Sequence, residues 1–336
     1  MVNRQYKSFR ADDRSLFALL KKDIRQQVAA WGFDEARAGK IDIIVAEMTS
    51  NLSKYATNGQ LLAGGGADTN GEYFEVISID NGPGIPDLSR VMSDGYSSTG
   101  SLGHGLGSIK RLSDQFDLYS VRDWGTILVS RVYKQEPVRT RKKKIECQGL
   151  NIAKSGETVS GDGFYTRDAP DCWRILVADG LGHGAGAHAA VEMAGAAFAE
   201  CPEESPTETV RFIHDRIRKS RGIVGVVIIL DKQAQSWKIA GVGNISVKWN
   251  GHNTGRTYVS YNGIIGFNIP GSINDQMLSQ EEFHQFIACS DGVRSRWDVG
   301  RFPGIGAHHG MIIASAIFKE FARGTDDTSI VVCKSV

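Results

Sequence analysis

No apolar stretch of this sequence approaches the roughly 20 residues needed to cross a bilayer. The opening residues, MVNRQYKSFRADDRS, lack the apolar core of a signal peptide. Both absences predict a cytoplasmic protein with no membrane span. Cysteine is scarce: Cys147, Cys172, Cys201, Cys289 and Cys333 form no CxxC pair and no short Cys–His spacing. That argues against a zinc site and against a disulfide framework. Net charge is also missing, with 39 Lys and Arg against 38 Asp and Glu, so no global field draws the chain to nucleic acid. Of the phosphate-binding signatures, GxxxxGK[ST] does not occur, and no βαβ unit of about 30 residues frames a dinucleotide fingerprint.

At 336 residues the chain exceeds one ordinary core and suits two domains. The division falls at KQEPVRTRKKK, residues 134–144, where Pro137 interrupts a strand-like run and basic residues follow. No aromatic residues interleave with those charges, so the stretch reads as an extended, solvated linker rather than a nucleic-acid patch. The expected organisation is domain 1–134, linker 135–145 and domain 146–336. In the first domain, Ile41, Ile44, Val45, Met48 and Leu52 recur at helical spacing. YFEVISID reads as a strand ending at Asp80. Leu106, Ile109, Leu112 and Phe116 mark another helix, and FDLYSV and GTILVSRVY read as strands joined at Asp123–Gly125. NGQLLAGGGADTNG, residues 58–71, reads as a glycine-rich loop. The second domain is strand-rich (WRILVAD, GVVIILD, WKIAGVG, FHQFIACSD, TSIVVC), with a small-residue helix in GAHAAVEMAGAAFAE.

The tetrapeptide LGHG occurs twice, around His104 and around His183, in different contexts. Before the first copy, Glu47 and Asn51 stand at i and i+4 on one helix face. A solvated helix face would look the same in isolation. Then come DNGPGIPD, with Asp80 at a strand end and Gly82 and Gly84 after it, and STGSLGHGLGSIKRL, a glycine loop opening a helix. Backbone amides of Gly103, Gly105 and Gly107 can approach an anion closely at such a place.

The ordered set ExxxN, DxGxGI, GxGxG and Gly125–Thr126 resembles the GHKL (Bergerat-fold) ATP-binding family, in particular the RsbT-like switch kinases. AEMTSNLSKYA and LGHGLGSIKRLSDQFDLYS carry the likeness, over about residues 5–133. The resemblance implies an α/β two-layer sandwich. It implies that Asn51 binds the Mg²⁺ on ATP, that Glu47 is the catalytic base, and that Asp80 holds the adenine with help from Thr126. Gly82 and Gly84 would shape that pocket, and Gly103, His104, Gly105, Leu106 and Gly107 would form the phosphate lid. Phosphoryl transfer asks mainly for positioning and charge neutralisation, which this set can supply. A histidine-kinase reading is excluded at this stage: 46 residues precede Glu47 and His104 is the first histidine.

Before the second copy stand carboxylates. VSGDGF supplies Asp162, LVADGLGHG supplies Asp179 and Gly180, ACSDGV supplies Asp291, and GTDDTSIVV supplies Asp326 and Asp327. A single Asp-Gly pair is usually a turn. Four separated acidic sites suit hard cations such as Mg²⁺ or Mn²⁺. Their order resembles the metal-dependent PPM-type Ser/Thr phosphatases, within them the SpoIIE/RsbX branch, over about residues 146–336. That likeness implies an α-β-β-α sandwich, and hence an α+β protein overall. It implies two Mn²⁺ or Mg²⁺ ions held by Asp162, Asp179, the Gly180 carbonyl, Asp291 and Asp326, with Asp327 the alternative to Asp326 and with a water activated for attack on phosphorus. His183 would protonate the leaving oxygen or shape the loop. The two LGHG copies are therefore no repeat.

Together the resemblances imply a bifunctional kinase and phosphatase acting on STAS-domain (anti-sigma-factor antagonist) proteins. A sigma-factor regulator or a cyclase would lie downstream. The alternative is an active phosphatase whose N-terminal module binds ATP without catalysis.

Overall fold

The computed structural model describes residues 4–11, 13–88, 105–137, 145–251 and 254–335. The lid residues Gly103 and His104, and residues 138–144 of the expected linker, lie outside that set. Two compact units result. One comprises Tyr6–Lys142 with Gly300–Ala316, and the other is centred on Lys143–Val299 and Ile317–Val336. Among the described residues no helix is long and apolar enough to cross a membrane.

In the first unit, β1 (Lys7–Arg10), β2 (Gln60–Asp68), β3 (Gly71–Ile79), β4 (Gln115–Val121) and β5 (Gly125–Tyr133) form an antiparallel sheet in the order β1-β2-β3-β5-β4. Helices α1 (Phe17–Ala30) and α2 (Glu35–Tyr55) cover one face, and α3 (Gly105–Leu112) packs on α2. The side chain of Asp34 accepts the Arg37 amide and starts α2. Ile41, Ile44, Val45, Met48 and Leu52 then bury one stripe against Phe74, Val76 and Leu128 of the sheet. Burying each such side chain is worth about 1.5–3 kcal/mol. The carboxylate of Asp114 fixes the start of β4 by accepting from Arg37 at 2.6 Å and from the Tyr133 amide at 2.8 Å.

Two expectations are corrected here. Residues 60–68 are a strand, not part of a loop, and Gly64, Gly65 and Gly66 pair with Glu75, Phe74 and Tyr73. Gly65 serves packing: a Cβ there would lie 2.0 Å from the Trp31 ring. Phe116 belongs to β4, because α3 stops at Leu112 and the Ser113 hydroxyl donates back to the Ile109 carbonyl at 2.6 Å.

The segment 300–316 enters the first unit from far along the chain. Asp117 on β4 accepts from His308 Nδ1 at 2.9 Å and from the His309 amide at 2.7 Å. The Tyr119 hydroxyl donates to the Pro303 carbonyl at 3.1 Å, and Trp124 meets Phe302 at 5.5 Å between ring centroids.

The second unit holds two five-stranded sheets. β6 (Ile145–Ile152), β7 (Asp162–Asp168) and β8 (Cys172–Gly180) lead to helices α4 (Ala185–Glu200) and α5 (Pro206–Arg216). The strands β9 (Ile223–Asp231), β10 (Ser236–Val242), β11 (Ser246–Gly251), β12 (Gly255–Tyr258), β13 (Gln276–Ser279) and β14 (Phe283–Cys289) follow. After them come α6 (Gly310–Phe321), whose residues up to Ala316 belong to the first unit, and β15 (Thr328–Ser335). The sheet orders are β13-β10-β9-β8-β7 and β12-β11-β14-β15-β6. Their facing sides share a core in which Trp237, Trp249 and Phe286 stack within 5.5 Å of one another. A second core joins α4 and α5 to the β8–β9 face through Leu176, Phe198, Val210 and Val227. Cys147 and Cys333 stand opposite each other in the β6–β15 register and form a disulfide. Scattered positions in sequence had argued against any such bridge; strand pairing brings the two together.

Candidate functional site

Two constellations emerge, one in each unit. In the first, the helical spacing of α2 aims Glu47 and Asn51 at the start of α3. A Cβ on Gly105 would lie 3.1 Å from Glu47 Oε2 and 3.5 Å from Asn51 Oδ1. Any side chain there would press on both groups. Leu106 and Gly107 continue into α3, with Gly107 buried.

Asp80 follows β3. Its Oδ1 accepts the Gly82 amide at 2.7 Å and the Thr126 amide at 3.3 Å, and its own amide donates to the Thr126 carbonyl at 3.0 Å. Thr126 is therefore joined directly to Asp80 through the backbone. Ser120, which sequence reasoning missed, completes the group. Its hydroxyl lies 2.9 Å from Thr126 Oγ1 and accepts the Ile85 amide at 2.8 Å. Gly84 (φ 74°) and Gly125 (φ 120°) sit where other residues are strained. A Cβ on Gly125 would come within 2.0 Å of the Asp80 carbonyl oxygen. Gly125→Ala is accordingly expected to displace Asp80 and weaken ATP binding at least tenfold in a fluorescent-nucleotide titration. Unchanged affinity would show that Asp80 does not read the base.

The second constellation lies where strand ends of the two sheets meet. Asp162 opens β7 and pairs directly with Asp179 near the end of β8. Asp291 follows β14, and Asp326 and Asp327 precede β15. Burial, then repulsion from Asp291, Asp326 and Asp327, pushes Asp179 up to about 8. Asp162, fully buried, is pushed up for the same reasons, with Asp179 its strongest repelling neighbour. Mutual repulsion of buried carboxylates is what a divalent cation relieves. Among the described residues no three His, Cys, Asp or Glu side chains close around a common point. The carboxylates thus converge without forming a finished cage, and their chemistry fits hard cations.

Supporting groups explain their order. Ser290 Oγ donates to Asp162 Oδ2 at 2.6 Å, and Asn244 donates to Asp291 at 3.1 Å. Asp327 spends both oxygens on backbone, accepting from the Lys154 and Gly161 amides at 2.7 and 2.8 Å. It staples the loop bearing Asp162 and leaves Asp326 as the half-exposed acid. His183 is half exposed, with Nδ1 2.8 Å from Glu157 Oε1. Neither Ser290, Asn244 nor Glu157 carries a sequence signal, because each acts through a partner distant along the chain.

Comparison with known proteins bears on both units. The histidine kinase-like ATPase domain family matches residues 9–131. The serine/threonine-protein kinase RsbT of Bacillus subtilis (strain 168) is 41% identical over 95 residues, 28% of this chain and 71% of that protein. A solved structure from work on the bacterial stressosome, described as a modular system adapted to control secondary messenger signaling, aligns with a TM-score of 0.53 and 25% identity. It covers 57% of this chain and all of its own. RsbX in complex with magnesium aligns with a TM-score of 0.52 over 59% of this chain and 98% of its own; at 14% identity it shows the fold. The chain belongs to the RsbT-like serine/threonine kinases of the histidine kinase-like ATPase family, joined in one polypeptide to a PPM-type phosphatase fold.

Proposed function

We propose that the protein both writes and erases phosphate on serine or threonine of STAS-domain partner proteins, in the cytoplasm, as a partner-switching enzyme. The carrying observation is that one chain presents Glu47 beside Asn51 and Gly105 in an RsbT-like unit and a convergent set of carboxylates in a phosphatase fold.

In the kinase reaction, Asp80 orients the adenine, with Thr126 and Ser120 holding Asp80 in place. Asn51 would hold the magnesium that arrives on the ATP phosphates. Glu47, one helical turn away, accepts the proton of the attacking hydroxyl. A catalytic carboxylate at that position favours chemistry over an ATP-binding module that only grips a partner.

In the phosphatase reaction, Asp162, Asp179, Asp291, Asp326 and the Gly180 carbonyl would hold two divalent ions. Such ions supply charge neutralisation and a water of lowered pKa. Ser290 and Asn244 fix the rotamers of Asp162 and Asp291. Glu157 orients His183 through Nδ1, which leaves Nε2 to donate a proton to the departing serine oxygen.

Joining the two activities in one chain raises the local concentration of each around a shared substrate, on the order of millimolar for a short tether. Mass spectrometry of a STAS protein incubated with ATP and full-length single-site variants tests the shared target. Asp179→Ala is expected to drive one residue to full phosphorylation, and Glu47→Ala to strip that same residue. Action on different residues or different proteins would overturn the shared target. No labelling by the Asp179→Ala chain would overturn the kinase.

A further inference from the structure

Arg221 lies in the turn between α5 and β9. Its neighbour Gly222 accepts the Leu181 amide at 3.2 Å, and Ile223 pairs with Gly180 in the sheet. The turn therefore runs directly alongside the DGLGHG segment. A Cβ on Gly186 would lie 2.6 Å from Arg221 Cζ and Nε and 2.9 Å from Nη2, and one on Gly182 would lie 3.5 Å from Nη1. The guanidinium thus lies along the loop that begins at Asp179. At the intervening position, a Cβ on Gly184 would meet Glu157 Oε2 at 2.8 Å, and Glu157 pairs with His183. The alternating glycines make room for two charged groups of opposite sign.

Intrachain charge accounts for Glu157, which has His183, but not for Arg221. Among the described residues the guanidinium has no carboxylate or carbonyl partner, and it is exposed. The first turn of α4, which it overlies, has no acidic residue and no side-chain cap. A helix start carries partial positive charge, which repels a cation. An arginine held there, beside a cluster of carboxylates that it does not join, is placed for an anion arriving from outside.

We propose that Arg221 binds the phosphoryl group of the phosphoserine or phosphothreonine substrate, an assignment that rests on the phosphatase reading above. A planar guanidinium can grip two phosphate oxygens at once. It would also offset the repulsion between a phosphate dianion and the neighbouring aspartates, and leave the seryl oxygen toward His183.

The test uses the full chain and inorganic phosphate as probe, followed by ³¹P NMR titration with Mg²⁺ and again with EDTA. Steady-state hydrolysis of a phosphoserine peptide accompanies it. Arg221→Ala is expected to weaken phosphate binding at least tenfold and to raise KM by a similar factor, with a much smaller change in kcat. Arg221→Lys should recover part of the loss, since a point charge replaces the fork. Arg221→Gln keeps the side-chain stem and should match alanine even if the alanine variant melts earlier. Arg218→Ala removes an exposed arginine paired with Asp215, and should change neither quantity. Phosphate affinity within twofold of wild type in Arg221→Ala overturns the proposal, as does a fall in kcat with KM and phosphate affinity unchanged. Arg221-dependent phosphate binding by a chain that hydrolyses no phosphoester supports Arg221 as a phosphate-binding group and sinks the phosphatase reading instead.

Discussion

Replacing Asp179 with alanine is expected to reduce metal-dependent phosphoester hydrolysis by three orders of magnitude or more, and at the same time to stabilise the metal-free protein at pH 8. The two effects share one cause. Asp179 pairs with Asp162 across β7 and β8, and burial with its acidic neighbours pushes its carboxyl up to about 8. The unfolded chain releases that proton near 3.8, whereas the folded chain keeps it until about 8. The folded state therefore binds more protons over the interval, and the stability linked to this group falls as pH rises from about 4 to about 8. By the same linkage the cost of holding this buried carboxylate ionised among its acidic neighbours in the metal-free centre at pH 8 amounts to several kcal/mol, on the order of one kcal/mol per pKa unit, with burial the larger cause and repulsion the smaller. Alanine removes it. Calorimetry in EDTA at pH 5 and pH 8 provides the check. Wild type should melt lower at pH 8, and Mg²⁺ or Mn²⁺ should raise its melting temperature more there than at pH 5. Asp179→Ala should lose most of both responses. A variant that still hydrolyses a phosphopeptide in Mn²⁺ at a tenth of the wild-type rate would remove Asp179 from the metal set.

Glu75→Ala is expected to cost the first unit about 3–5 kcal/mol, because it strands a buried cation. Glu75 on β3 and Arg131 on β5 are directly opposed in register and both fully buried. Arg131 Nε donates to Glu75 Oε2 at 2.8 Å, its Nη1 donates to Asp68 at 2.9 Å, and its guanidinium lies 3.7 Å above the Tyr73 ring. The Tyr6 hydroxyl donates to Glu75 Oε1 at 2.7 Å. Burial disfavours the charge on Arg131, yet the attraction of Glu75 outweighs it and holds the group well above its ordinary value. Removing the carboxylate leaves the desolvation without its compensation. The double replacement Glu75→Leu with Arg131→Met removes both charges and should recover most of the loss. Urea denaturation of the four corners of this cycle gives the coupling directly. A Glu75→Ala loss under 1 kcal/mol would mean that water or Asp68 satisfies Arg131 unaided.

Legibility in the sequence followed the range of the physics. GTILVSRVY emerged as β5 over the residues expected, because alternation and a flanking Asp–Gly turn are local signals. The stripe from Ile41 to Leu52 was equally local. Residues 60–68 read as a loop because glycine is a turn signal in sequence; pairing with β1 and β3 holds them in a strand, and the Trp31 ring is what calls for glycine at position 65. The acidic positions around Asp162 and Asp179 could be listed, since Asp-Gly after an apolar run is visible. Their order of burial could not, nor could the division of labour between Asp326 and Asp327, which two amides from the loop before β7 decide. Ser120, Ser290, Asn244, Glu157 and Arg221 were illegible for the same reason: each acquires meaning only from what lies across a gap in the chain.

The path of the chain through the first unit has a consequence for synthesis. Tyr6–Lys142 is not the whole of that unit, which takes Gly300–Ala316 as well, fastened through Asp117, Tyr119 and Trp124. A nascent chain therefore cannot complete its ATPase half until the ribosome has passed residue 316, deep in the coding region of the other half. A message cut short after the basic stretch yields an incomplete first unit, because the segment that Asp117, Tyr119 and Trp124 fasten has not yet been made.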